Sequence, residues 1–264
     1  MPQDSNYRRA EKAFADGDVE EALQFCEKVE PKSADRLDAE ALAVECLAEL
    51  GRWEEADERA AMILKEDDEW PTGHLVRGLA AIENANSKEA EKHLKRAFAL
   101  DATLGEAAIM LAALCDFRGA YDDADRWLKK AHKAEPDIEG PTRLTPADLD
   151  EILVAVVEDY PTQTARTLEE SRFRVRPMPS AAELKRGVSL TQMALIEEID
   201  PEGDPPTFAM TLFQRNLERE AADEEAVAEA IEAEIENALT VLAKKAAPKE
   251  PAKAKAAPAK RSRS

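Results

Sequence analysis

The dipeptide Glu-Ala, or its Asp variant, recurs at Glu21-Ala22, Glu55-Ala56, Glu89-Ala90 and Asp123-Ala124, an interval of 34 residues each time. Five residues before each alanine stands Gly17, Gly51, Ala85 or Gly119, and twelve before it Ala10, Val44, Gly78 or Ala112. Four and seven residues after it come Cys26 and Val29, Ala60 and Ile63, Leu94 and Ala97, Leu128 and Ala131. A period of this length describes one supersecondary unit that cannot bury its apolar face alone, so the units must stack. Small residues permit close approach of two helices and glycine accepts the turn between them, which predicts four helix–turn–helix units.

Two of the turns continue with an aromatic, "GRWEEA" and "GAYDDA". With the small residues, turn glycines and alanines, this pattern resembles the tetratricopeptide repeat over residues 4–137. The third unit departs by reading "NANSKEA" without the turn glycine, and the first approaches the second over a shortened stretch. The resemblance implies a right-handed superhelix whose first helices line an inner groove for a peptide or partner helix. The groove residues it implies are Tyr7, Glu11 and Phe14, then Asp38, Ala41, Glu45 and Ala48, then Leu75, Leu79 and Ile82, then Glu106, Ile109, Ala113 and Asp116. The Lys, Asn and Arg with which chaperone-binding members hold a carboxylate terminus are missing from this face. An acidic, apolar groove calls for a basic or amphipathic peptide.

The period stops at "IEGPTRLTPAD" (138–148), which reads as a linker. Thr145 and Pro146 then open a helix with Leu149, Ile152, Leu153 and Val156 on one face, ended by Tyr160-Pro161. "RFRVRP" (172–177), "QMALIEEID" (192–200) and "TFAMTLFQR" (207–215) read as strands, and Val227, Ile231, Ile235 and Leu239 mark a final helix. This order of elements, with "LFQRNLER" ahead of the last helix, is similar to the minimal zincin-like metallopeptidases of bacteria over residues 144–242. In that family the helix carries HExxH, two histidines binding zinc and a glutamate acting as general base. Here the window falls on Asn237, Ala238, Leu239, Thr240 and Val241; a register four residues earlier keeps Glu234, flanked by Ala233 and Asn237. No histidine stands in either register. The resemblance therefore implies a fold whose zinc chemistry is lost, with no catalytic or metal-binding residues and no cofactor.

The remaining chemistry-bearing residues are sparse. His74, His93 and His132 all fall within the repeats without metal spacing and read as surface or inter-repeat histidines. Cys26, Cys46 and Cys115 are scattered and odd in number, which fits buried reduced thiols. Asp200, Glu202 and Asp204 alternate in a Pro-flanked turn without the long loop and distal glutamate of a calcium site. Net charge is −20, yet residues 244–264 carry +7, leaving about −27 on the body, which repels nucleic acid. No apolar run suits a signal or a membrane span, so a cytoplasmic location is expected.

The chain is thus expected to be mainly α: a repeat solenoid at 1–140, a small α+β zincin-like domain at 141–243, and a disordered Lys/Ala/Pro tail at 244–264. The function expected is a non-enzymatic scaffold or adaptor binding a protein or peptide. Two alternatives stand beside it: a divergent active metallopeptidase, and a nucleic-acid-associated factor acting through the basic tail.

Overall fold

Eight helices pair off in the order of the 34-residue period: α1 (Ser5–Ala15) with α2 (Val19–Cys26), α3 (Arg36–Glu49) with α4 (Trp53–Ile63), α5 (Pro71–Glu83) with α6 (Ser87–Leu100), and α7 (Gly105–Phe117) with α8 (Tyr121–Ala134). The computed structural model describes residues 4–136 and 142–246. Within each pair the period's small residues meet: Ala10, Val44 and Ala112 are solvent-inaccessible, as are Ala22, Ala56, Ala90 and Ala124. At the fourth such position, Gly78 lies so close to α6 that an added Cβ would stand 2.6 Å from Leu94 Cγ. The shortened first unit shows as an α2 of eight residues against fourteen in α6 and α8.

The turn between paired helices has one geometry throughout. Gly17, Gly51 and Gly119 take φ of 84°, 68° and 73°, and Ala85 takes φ of 53° in the same place. The third unit lacks the glycine but keeps the left-handed turn, so Ala85 carries the strain that a Cβ brings there.

The remaining elements form a second layered unit. Helix α9 (Pro146–Glu158) starts at Thr145, whose side chain accepts from the Asp148 amide while Asp148 caps the Thr145 amide in return. There follow α10 (Thr162–Glu170), β1 (Arg172–Arg176), the short α11 (Ala181–Leu184), β2 (Ala194–Asp200), β3 (Thr207–Phe213), α12 (Gln214–Glu220) and α13 (Glu224–Ala246). The sheet order is β1-β3-β2, with β1 parallel and β2 antiparallel to the central β3. From Phe208 to Phe213 every residue of β3 is buried, so the strand is covered on both faces rather than on one. Phe208, Met210 and Leu212 pack with Leu149, Leu168, Leu217 and the α13 stripe Val227, Ile231, Ile235, Ala238 and Leu242. Residues 137–141, which take in the start of the linker, and residues 247–264 of the tail lie outside the described residues; Lys244 and Lys245 belong to the last turn of α13.

Helix α12 was not legible as a helix in the sequence, and it is one of the segments that join the two units. Its residues pack against α7 of the last repeat. Met178 and Leu190, either side of α11, lie in one buried cluster with Leu75, Leu111, Ala113 and Leu114 of the repeats, and Leu184 packs against it.

Candidate functional site

The first helix of every repeat contributes to one cleft of about 370 Å³. Phe14 comes from α1, Glu45, Ala48 and Glu49 from α3, Leu75 and Leu79 from α5, and Glu106 from α7, with Trp53 of α4 beside them. The spacing explains the convergence: stacked units place equivalent helix faces side by side, so positions 34 residues apart share a wall. Apolar side chains and carboxylates line it together.

Among the described residues no cation lines this cleft. Withdrawal from solvent raises the Glu45 carboxyl above its ordinary value, and neighbouring Glu49 adds to the effect. Glu106 is raised as well, by the cleft walls and then by Glu135 and Glu49, although much of its side chain still meets water. At the N-terminal end Tyr7 is pushed up to about 12, by burial first and then by Glu11 and Asp38. Carboxylates gathered on apolar walls without a counter-charge favour a positively charged occupant.

Of the groove residues read from the sequence, the structure brings Phe14, Glu45, Ala48, Leu75, Leu79 and Glu106 to this cleft. Tyr7, Glu11 and Asp38 form a separate acidic group beyond it. Ala41 packs against the core of the first two repeats, and Ile109 is half-buried on α7. Ile82 packs against the cluster that holds Met178 and Leu190, and Ala113 is buried in that cluster.

Asp116 corrects the expectation. It is 2% exposed and sits under α12 rather than in an open groove. Its Oδ2 accepts from Arg219 Nη2 at 2.9 Å, and its Oδ1 lies 3.1 Å from Arg215 Nε. The segment "QRNLER" is a polar hub. Asn216 Nδ2 donates to the carbonyls of Leu190 and Gln192, and Asn216 Oδ1 accepts from Arg219 Nη1 at 2.8 Å. Glu218, 1% exposed, accepts from the Leu144 amide, Gln214, Arg215 and Arg143. Arg143 in turn pairs with Asp125 of α8. Spacing alone could not reveal this partner set, because the two ends of the Asp116–Arg219 bond are 103 residues apart.

The HExxH window holds no site. Asn237 is exposed, Ala238 is in the core and Val241 is half-buried on α13. Glu234 of the alternative register is raised by burial, an effect that a hydrogen bond with Asn237 opposes. An amide, an alanine and a valine offer zinc no imidazole or thiolate, so the residues present do not fit the metal. Among the described residues no three His, Cys, Asp or Glu side chains gather as a metal would need.

The histidines also depart from expectation. His74 of α5 and His93 of α6 meet within one repeat rather than between repeats, with Nδ1 atoms 2.9 Å apart. His74 Nε2 lies 3.2 Å from the Asp68 carbonyl, which assigns the proton to Nε2 and leaves Nδ1 to accept from His93. Burial lowers both; His93 falls to about 4, with Arg77, His74 and Lys92 assisting and Glu89 opposing.

Residues 13–79 match the tetratricopeptide repeat family model, and the N-terminal region carries these repeats. Solved structures similar to the chain include MamA (20% identity over 52% of this chain and 77% of that one, TM-score 0.43) and TTC0263, a thermophilic TPR protein of Thermus thermophilus (19%, 50% and 73%, TM-score 0.43). MamA of Desulfovibrio magneticus RS-1 is similar at 16% identity over 70% of this chain and 98% of that one, with a TM-score of 0.44. No curated protein matches the chain. Among the described residues no helix is long and apolar enough to cross a membrane.

Proposed function

We propose that this chain is a non-enzymatic protein-binding scaffold whose repeats hold a basic or amphipathic peptide of a partner. The observation that carries this reading is the cleft that Phe14, Leu75 and Leu79 line together with Glu45, Glu49 and Glu106. An amphipathic helix with lysines flanking its apolar stripe complements that surface in shape and charge. The C-terminal unit gives a second surface beside the last repeat. Its reading as a zincin-like fold without zinc ligands draws support from the order of its elements and from "LFQRNLER", whose polar side chains here serve as structural anchors.

The test uses a fluorescein-labelled amphipathic peptide with lysines on its polar face, and a twin with glutamates instead, titrated against the full chain by anisotropy. The basic peptide should bind, and Glu45→Lys or Leu79→Glu should weaken it at least about tenfold, equivalent to ~1.4 kcal/mol. Glu58→Lys, on the exposed side of α4, controls for general attraction to an acidic body. Equal losses from Glu58→Lys and Glu45→Lys, or equal binding of both peptides, would refute the groove as the site.

A further inference from the structure

Two hollows of the repeats are lined by carboxylates, and they differ in how those charges are met. The larger, of about 440 Å³ beside the first two repeats, holds Glu27, Glu40 and Glu66 together with two cations. Arg36 pairs with Glu66 at 2.9 Å, and Arg59 with Glu27 at 3.0 Å and Glu40 at 3.9 Å. In the inner cleft Glu45, Glu49 and Glu106 stand with Phe14, Trp53 and Leu79, and its described lining residues include no Lys or Arg. Its charges are left for an occupant to meet.

The chain carries a complement of its own. Beyond Ala246 the sequence holds Lys249, Lys253, Lys255, Lys260, Arg261 and Arg263 against one carboxylate side chain, Glu250, among alanines and Pro248, Pro251 and Pro258. Proline presets an extended backbone, so a segment rich in it loses little conformational entropy on lying along a groove, and aromatic-lined grooves suit it. Phe14 and Trp53 supply aromatic walls, and the three glutamates supply the opposite charge.

The length of the tail also fits. Helix α12 packs on α7, which gives Glu106 to the cleft, and α13 follows directly after α12. The 23 residues of α13 span about 35 Å. The 18 residues after Ala246 extend to about 60 Å, enough to run back along α13 and on to α7. Tethering makes the encounter intramolecular, so a free peptide must compete with a high effective concentration.

We propose that Lys255–Arg263 occupies the acidic cleft of the same chain and competes there with the basic peptide of a partner. This rests on the reading of the cleft as a peptide groove. Lys255, Lys260, Arg261 and Arg263 meet the carboxylates, while Pro258 and its neighbouring alanines lie against the apolar walls. The tail thereby sets the concentration at which a partner gains the groove.

Two measurements on the full-length chain test this. A water-soluble carbodiimide joins a lysine amine to a carboxylate in contact with it; it is applied to a dilute mixture of nitrogen-15-labelled and unlabelled protein, and the links are mapped by mass. The expected links run from Lys255 or Lys260 to Glu45, Glu49 or Glu106 within one isotopic chain. Links spread equally over the exposed Glu58 and Glu158, links only between labelled and unlabelled chains, or no links from the tail overturn the proposal. The second measurement titrates the fluorescein-labelled lysine peptide against the wild type and the variant Lys255→Gln/Lys260→Gln/Arg261→Gln/Arg263→Gln. At about 0.15 M salt, where charges beyond about 8 Å are largely screened, the variant should bind at least about fivefold tighter. Equal affinity overturns the competition and leaves the groove reading in place. No binding by either protein, with tail links in the cleft, supports the tail's occupancy and refutes the partner-peptide reading.

Discussion

Arg219 of α12 donates to Asp116 of α7 at 2.9 Å in a contact that water barely reaches, the two side chains being 2% and 1% exposed. Burial draws the guanidinium below its usual value and Asp116 opposes that shift. A charge pair in such a place holds two units in register, because Arg219 without Asp116 would be a buried ion that has lost its paired carboxylate.

Asp116→Ala should therefore cost about 3–5 kcal/mol, the range for breaking one side of a buried pair. Hydrogen exchange should place the loss at the junction, with α7 and α12 exchanging faster while α1 to α4 keep their protection. The double variant Asp116→Leu/Arg219→Met should recover most of the loss, since an apolar pair of similar volume removes the desolvation cost on both sides. A double variant as unstable as the single one would contradict this account.

Ala85 is the one turn residue of the four that carries a Cβ at positive φ. Ala85→Gly should stabilise the chain by about 0.5–1 kcal/mol, strain relief exceeding the added entropy of the unfolded chain. Gly119→Ala, at φ 73°, should move the urea midpoint in the opposite direction by a similar amount.

Gly78 of α5 lies against Leu94 of α6. Alanine there gains about 1 kcal/mol of helix propensity, but its Cβ would meet Leu94 Cγ at 2.6 Å and the Leu94 amide nitrogen at 3.3 Å. Leu94 is fully buried, so yielding to that Cβ would disturb packed neighbours. Gly78→Ala should therefore destabilise by about 1–3 kcal/mol, read as a lower urea midpoint with an unchanged slope.

His93 makes stability pH-dependent. Its folded pKa of about 4 lies below its ordinary 6.5, so the unfolded chain binds more protons between these values and stability falls as pH drops through that window. The contribution is fully present above pH 6.5 and lost by about pH 4, at roughly 2–3 kcal/mol. Arg77, Arg96 and Lys92 face the pair and disfavour protonation; Glu89 alone opposes them at His93. Urea unfolding at pH 7, 6 and 5 should show the slope, and His93→Asn should flatten it.

Much of the N-terminal half was readable because its signal is local and repeated. The 34-residue spacing of Ala22, Ala56, Ala90 and Ala124 specifies four helix pairs, and the resemblance to the tetratricopeptide repeat implies a groove face that includes Phe14, Glu45, Leu75, Leu79 and Glu106, residues that line one cleft in the structure. The second unit was readable in its longer elements, where Thr145 and Pro146 signal a helix start and Val227, Ile231 and Ile235 mark a core stripe. "QRNLER" escaped because six residues with one apolar side chain have no readable period.

The sequence by itself determined the repeats, their turns, and the absence of any zinc-binding motif, since each depends on residue types at fixed short spacings. Tertiary structure alone decided which distant side chains meet: Asp116 with Arg219, and His74 with His93. The reason is physical. Helix periodicity says which face is buried, but the identity of the opposing face follows from how the stacked helices and α12 pack, and that packing is a property of the whole chain.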